Sequence, residues 1–265
     1  MKLLFIGDIV GRPGRDLVRR NTRALAASLQ ADLVIANGEN AAGGAGITRE
    51  NMYEILTAGV DVITTGNHVW DKRETLEFIG NEPRLIRPAN YPAGTPGAGS
   101  CVVAARNGVR VGVINAMGRV FLHAIDDPFR AADREIAHVQ AEGAQVIFID
   151  FHAETTSEKM AFCYYVDGRV AAVIGTHTHV QTADERLLPA GTAYLTDVGM
   201  TGPHDGVIGM ERAGAIARFT SALPSRFDAA TGDPRLHGVI ITADPVTGRA
   251  TAIERLAVTA AELES

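Results

Sequence analysis

The stretch "QVIFIDFHAETTSEKMAFCYYVDGRVAAVIGTHTH", residues 145–179, decides how the rest of the chain is read. An apolar run, "QVIFIDF", ends at His152. A helical run, "MAFCYYV", comes next, and a second apolar run, "AAVIG", leads into His177 and His179. Short apolar runs bounded by polar or glycine residues read as buried strands, and their alternation with helical segments indicates an α/β sheet with covered faces. If the backbone is extended at "HTH", residues i and i+2 point to one side and both imidazoles converge on one object, a metal ion being the obvious candidate.

The same pattern extends in both directions. Apolar runs recur at "KLLFIG" (2–7), "ADLVIAN" (31–37), "VDVITTG" (60–66) and "RVGVIN" (110–115). Between them, "PGRDLVRRNTRALAASLQ", "TRENMYEILTAG", "DKRETLEFIG" and "PFRAADREIAHVQAEG" carry apolar residues at three- and four-residue steps, as helices do. Near the end, two strand-like runs within residues 236–258 flank "DPVTG" and read as a hairpin, which adds antiparallel strands. The proline- and glycine-rich "RPANYPAGTPGAGS" (87–100) reads as an irregular loop over one face. Strands on both sides of it favour one domain over residues 1–265.

The chemistry lies in the residues just beyond these runs. Asp8 stands after the first, Glu39 and Asn40 after the second, Asn67 and His68 after the third, His152 after the run at 145–151, and His177 and His179 after the last. Five runs thus deliver carboxylate, carboxamide or imidazole groups at their carboxyl ends, the edge where open α/β sheets bind ligands. Singly, each has a plain explanation: Asp8 as a helix cap, Asn67 as a turn residue, His152 as a hydrogen-bonded structural side chain. Together they favour a site for two metal ions. A mixed oxygen and nitrogen set without thiolates suits iron, manganese or zinc better than calcium or magnesium. Two ions about 4 Å apart can share a hydroxide nucleophile and clamp both sides of an in-line displacement at phosphorus. With Asp8 and Glu39 as the only anionic candidates, the loaded site keeps a small positive charge that suits a singly charged phosphodiester. His68, beside the better placed ligand Asn67, is free to face substrate as an acid for the leaving oxygen.

Composition narrows the field. The chain has 265 residues, 46% hydrophobic, with a net charge of -6 and no arginine- or lysine-rich block. That balance disfavours stable nucleic-acid binding through phosphate contacts. Two cysteines, Cys101 and Cys163, form no disulfide framework and no CxxC pair. Reduced structural thiols, no signal-peptide core and no long apolar run together point to a cytoplasmic protein with no membrane association.

At these residues the chain resembles the YmdB family of calcineurin-like metallophosphoesterases, bacterial phosphodiesterases. The carrying stretches are "GDIVGRPGR", "NGENAAGGAGIT", "TTGNHVWDKRE", "NAMGRVF", "DFHAETTSEK", "GTHTHVQTADERLLPAGTAYLTDVGMTGP" and "ERLAV", in order along nearly the whole chain. The resemblance implies a metallophosphoesterase-type αββα sandwich of mixed sheets flanked by helices, with the metal site at the carboxyl ends of strands. It implies Glu39 bridging two metals, with Asp8, Asn40 and His179 completing one set and Asn67, His152 and His177 the other, and His68 as the acid beside the phosphate. It implies two divalent or mixed-valence ions per subunit, iron first, with manganese or zinc as alternatives, and hydrolysis of 2',3'-cyclic AMP to 3'-AMP among small phosphodiesters. A homo-oligomer, dimer or tetramer, is expected. Val10 stands where the wider superfamily has a second histidine, and Glu39 where most relatives have aspartate. Arg12, Arg119, Glu154, Thr178, Asp197 and Met200 lie in these stretches as supporting residues, and the loop of His204 is a candidate to come near the site.

Other readings compete. A phosphomonoesterase or phosphoprotein phosphatase would use the same metals, and a regulatory protein would sense a nucleotide without turning it over. A nucleotide-binding loop and a serine hydrolase are weak, because the chain has neither GxGxxG, GxxxxGK[ST] nor GxSxG. Cys163, inside an apolar helical run, is a poor nucleophile.

Overall fold

A computed structural model describes residues 1–224 and 228–263. Along the chain, β1 (Lys2–Ile6), β2 (Asp8–Ile9), α1 (Gly11–Leu29), β3 (Leu33–Asn37), α2 (Arg49–Thr57), β4 (Val62–Thr64) and the short α3 (Thr75–Phe78) form the first half. Next come β5 (Ser100–Ala104), β6 (Arg110–Met117), α4 (Pro128–Ala141), β7 (Val146–His152), α5 (Thr156–Val166) and β8 (Ala172–Thr176). The remainder holds β9 (Arg186–Leu187), β10 (Ala193–Leu195), β11 (Met200–Pro203), α6 (Arg212–Ser221), β12 (Pro234–Asp244), β13 (Arg249–Thr259) and α7 (Ala260–Leu263).

The strands form two mixed sheets. One runs β2-β11-β12-β1-β3-β4, with β13 paired to β12, and the other β5-β6-β7-β8-β10-β9. β1, β3 and β4 are parallel, as are β6, β7, β8 and β10, because helical crossovers join most of them. The hairpin expected around "DPVTG" is β12–β13, antiparallel to each other, and β12 also pairs antiparallel with β1.

Period-two alternation sorts each strand between layers. From β1, Leu3 and Phe5 enter the core between the sheets, while Leu4 and Ile6 pack with Val18 of α1 and with Met52 and Ile55 of α2. From β7, Val146 and Phe148 face inward, while Ile147, Ile149 and Phe151 pack with Ile136 of α4 and Phe162 of α5. Phe5 and Phe148 meet across the sheets with ring centroids 4.9 Å apart. The result is four layers, helix–sheet–sheet–helix, the mixed α/β architecture expected from sequence.

The space between the sheets is apolar along most of its length and becomes polar at the strand carboxyl ends. Beyond Ile35, Val62, Phe148 and Ile174 on the inward faces come Asn37, Thr64, Asp150, His152 and Thr176, all fully buried. This change of lining locates the candidate site.

Candidate metal centre

The seven expected ligand residues meet here, delivered by both sheets: Asp8, Glu39, Asn40 and Asn67 from the first, His152, His177 and His179 from the second. Glu39 Oε1 lies 3.2 Å from His152 Nε2, and that nitrogen lies 2.8 Å from Asn67 Oδ1 and 3.1 Å from His177 Nδ1. One atom each of Glu39, His152 and His177 falls within 4.8 Å of the others, a separation that one metal ion can span. On the other side of Glu39, Asn40 Nδ2 approaches Glu39 Oε1 and His179 Nε2, each at 3.1 Å, and His179 Nε2 lies 4.0 Å from Asp8 Oδ1.

The hydrogen bonds around the imidazoles fix which nitrogen faces inward. Thr176 donates its one hydroxyl hydrogen to Asp150 Oδ1 at 2.7 Å, so at 2.9 Å it accepts from His152 Nδ1, and the Nε2 lone pair points into the site. Glu154 Oε2, 2.9 Å from His177 Nε2, takes that N–H and turns Nδ1 inward. The carbonyl of Ile208 accepts from His179 Nδ1 at 2.9 Å and leaves Nε2 facing Asp8 and Asn40. Three imidazole nitrogens, the Glu39 carboxylate and the Asn67 carbonyl oxygen therefore crowd together, with the Asn40 amide and the His68 backbone N–H supplied as neutral donors among them. Asp8 Oδ1 and Asn40 Oδ1 are buried without a hydrogen-bond partner. A donor set of this composition fits transition-metal cations, which would answer the crowded lone pairs and both orphaned oxygens.

The titration behaviour of the protein alone agrees. Burial opposes ionisation of Glu39, yet His152 and His68 hold its carboxyl down at about 2; burial likewise disfavours protonated His152, but Glu39, Asp8 and Asp150 raise it to about 9. A proton on His152 thus takes the place of cationic charge. Burial, then His152, lowers His177 to about 3, and burial lowers His179, so both are neutral as ligands require. Burial, reinforced by Glu39, Asp197 and Asp150, raises Asp8 well above the usual carboxylate range.

The backbone is built around these contacts. The "HTH" segment is not extended as expected: β8 ends at Thr176, and His177 and His179 have φ of +99° and +64°. Convergence comes from two left-handed residues, a strained conformation that surrounding bonds must hold. Asp197 supplies them. Its Oδ2 accepts from Thr178 N at 3.0 Å and Thr178 Oγ1 at 2.7 Å, and from buried Lys159 Nζ at 2.8 Å. Although burial works against it, Lys159 and these bonds keep the Asp197 carboxyl below its usual range. Gly66 is required for space, since a Cβ there would lie 2.3 Å from Glu39 Oε2 and 2.4 Å from His152 Nε2.

His68 stands at the edge. Its N–H donates to Glu39 Oε2 at 3.1 Å, while its half-exposed ring bonds Asp71 Oδ2 through Nδ1 at 2.8 Å. Asp71 therefore orients the ring through Nδ1. Asp8 is not a helix cap, because Val10 occupies that position of α1. Among the supporting candidates, Glu154 and Thr178 contact ligand residues or their loop, and Met200 pairs with Asp8 in the β2–β11 ladder. Arg119 pairs with Asp127, and exposed Arg12 with Asp16. His204 does not join the ligands: its ring packs 4.5 Å from that of His237, whereas Ile208 of the same loop reaches His179. Sequence reasoning passed over Asp71, Asp150, Lys159, Thr176 and Ile208. Asp150 had a legible signal, a charged residue on the inward face of an apolar strand two residues before His152.

The chain is similar to proteins of known sequence and structure over nearly its whole length. The family model described as YmdB-like protein matches residues 4–256. The chain is 54% identical, over 97% of its length and 96% of the relative's, to the 2',3'-cyclic-nucleotide 2'-phosphodiesterase of Bacillus subtilis (strain 168). Among solved structures, a hypothetical protein from Thermus thermophilus superposes with a TM-score of 0.91 at 43% identity, covering 98% of this chain and 99% of that one. A phosphatase from Mycoplasma pneumoniae gives a TM-score of 0.91 at 34% identity, covering 100% of this chain and 96% of that one. The chain belongs to the YmdB-like protein family.

Proposed function

We propose that this chain is a metal-dependent phosphodiesterase that hydrolyses 2',3'-cyclic nucleotides, and other small phosphodiesters, by opening the P–O2' bond to leave a 3'-monophosphate. The observation that carries the reading is the convergence of acceptor atoms on one buried point, with all three imidazole tautomers set by outside partners. The 54% identity to a cyclic-nucleotide phosphodiesterase supports the substrate class. Asp8, Asn40 and His179 would hold one ion, Asn67, His152 and His177 the other, and Glu39 both. Iron is the first choice, with manganese or zinc as alternatives, since the donors are oxygen and nitrogen only. When bound, two such ions supply Lewis-acid polarisation of the phosphoryl group and activation of water.

The chain's own groups do the rest. Glu39 is fixed from two sides by Asn40 Nδ2 and the His68 N–H, so its carboxylate oxygens cannot rotate away from the site. As water oxygen bonds phosphorus and gives up its proton to solvent, the P–O2' bond breaks and His68, held by Asp71, gives its Nε2 proton to the departing O2'. The 1–265 chain acts as one cytoplasmic catalytic domain. Ile216 and Phe219 of α6, exposed at 56% and 85%, support association with further copies of the chain. The test is to incubate the protein with 2',3'-cyclic AMP and follow products by chromatography. Appearance of 3'-AMP that stops on chelation is expected; nucleotide bound but recovered intact under every metal would replace catalysis with sensing.

A further inference from the structure

A second feature lies beside the site, at the carboxyl end of β6 in the sheet that delivers His152. Met117, the last residue of β6, is the register partner of His152, and Gly118 N donates to the His152 carbonyl at 3.0 Å. Arg119 N and Val120 N then donate to the Glu158 carboxylate at 2.9 and 3.3 Å, and Glu158 lies four residues beyond Glu154, the partner of His177. Leu122 N closes the turn on Arg119 O at 3.3 Å. At its tip, Phe121 has φ +61° and is 87% exposed.

Left-handed backbone disfavours a bulky side chain, and an aromatic ring in water adds nothing to the core. Each other non-glycine residue of this kind among the described residues has a reason for its conformation. Gln30 and Ala222 close helices, Asp233 pairs with Arg235, His177 and His179 carry candidate ligand atoms, and Ile208 aims its carbonyl at His179. Of the two large hydrophobic residues in this group, Phe121 is the more exposed, 87% against 50% for Ile208, and it stands at the tip of a turn pinned to the elements that deliver His152 and His177. Phe121 stands three positions beyond Gly118, so its Cα lies within about 11 Å of the Gly118 Cα by chain length alone. A ribose attached to a phosphate at the centre can bridge such a gap. Strain kept at the rim of a site points to a function there.

We propose that Phe121 is the stacking platform for the nucleobase of the cyclic nucleotide, and that the turn at 118–122 is its base subsite. The inference rests on the phosphodiesterase reading above. Every base has a π-face, so such a platform accepts all four and favours purines by their larger area.

The test compares wild type, Phe121→Ala and Phe121→Trp on 2',3'-cyclic AMP and on the base-free methyl riboside 2',3'-cyclic phosphate. Loss of one base–aromatic stack corresponds to about a 5- to 150-fold change. Phe121→Ala should lower the preference for the nucleotide by that factor, through KM, and Phe121→Trp should restore it. An unaltered preference in Phe121→Ala would overturn the base subsite while leaving hydrolysis intact, and a changed sedimentation coefficient with unaltered preference would assign the ring to contact between copies. If wild type hydrolyses neither compound, the phosphodiesterase reading falls; calorimetric titration with 2',3'-cyclic AMP then decides the subsite, which fails if Phe121→Ala binds as tightly as wild type.

Discussion

Each imidazole at the centre is aimed by a partner that sequence spacing hardly discloses. Thr176 and Asp150 turn His152, Glu154 turns His177, and the Ile208 carbonyl turns His179. The candidate ligand residues themselves stand out because each comes after an apolar run; the partners were not legible, because a backbone carbonyl or a buried threonine has no signature of its own. Roles divide accordingly. His68→Ala should leave metal content intact and reduce turnover about 10²- to 10⁴-fold; a parallel loss of metal would make His68 structural support. Asp197→Asn should weaken metal retention, about 10- to 100-fold by analogy with other groups that orient ligands, and should strand buried Lys159 at a cost of about 3–5 kcal/mol. The double change Lys159→Met with Asp197→Leu separates these effects. Stability should recover while metal affinity stays low, and recovery of both would show that Thr178 needs no anchor.

The elements that deliver the site are short strands whose inward faces change from apolar to polar near their ends. The long apolar runs were readable, as was the hairpin of β12 and β13. β2, β9, β10 and β11 were not, since two to four residues hold too little periodicity to stand out. "HTH" misled for a related reason: spacing by two implied extended backbone, whereas a loop fixed by Asp197 brings the rings together through positive φ. The turn after β4 has a stricter demand. Gly66→Ala would drive its methyl group into Glu39 and His152, so metal content and activity should fall together while far-ultraviolet circular dichroism stays native. Normal metal content in that variant would mean that the β4 turn shifts freely.

At the scale of the molecule, both sheets must be in register for the centre to exist, and the shared core around Phe5 and Phe148 holds them so. An α/β sheet with covered faces was readable from the alternation of runs and helical segments, and the two-sheet sandwich from the family resemblance, but the division of candidate ligands between the sheets was not, because strand order depends on crossovers. Away from the site, the His204–His237 contact links folding to pH. Burial, then His204 and Arg235, holds His237 down at about 4, below the ~6.5 of an unfolded chain. The unfolded state therefore binds more protons between those values, and stability that is complete above pH ~6.5 declines as pH falls toward about 4. His237→Gln should flatten the slope of Tm against pH in that window relative to wild type; an equal slope would remove His237 as a cause.

If residues from both sheets hold two metal ions with Glu39 between them, metal content per chain is the quantity that decides it. It is measured by mass spectrometry on purified wild type and on Glu39→Ala after both are loaded with iron or manganese and desalted. Two ions per chain in wild type and loss of both in the variant are expected. One ion or none in folded wild type, or two retained without Glu39, would overturn the bridged two-metal centre.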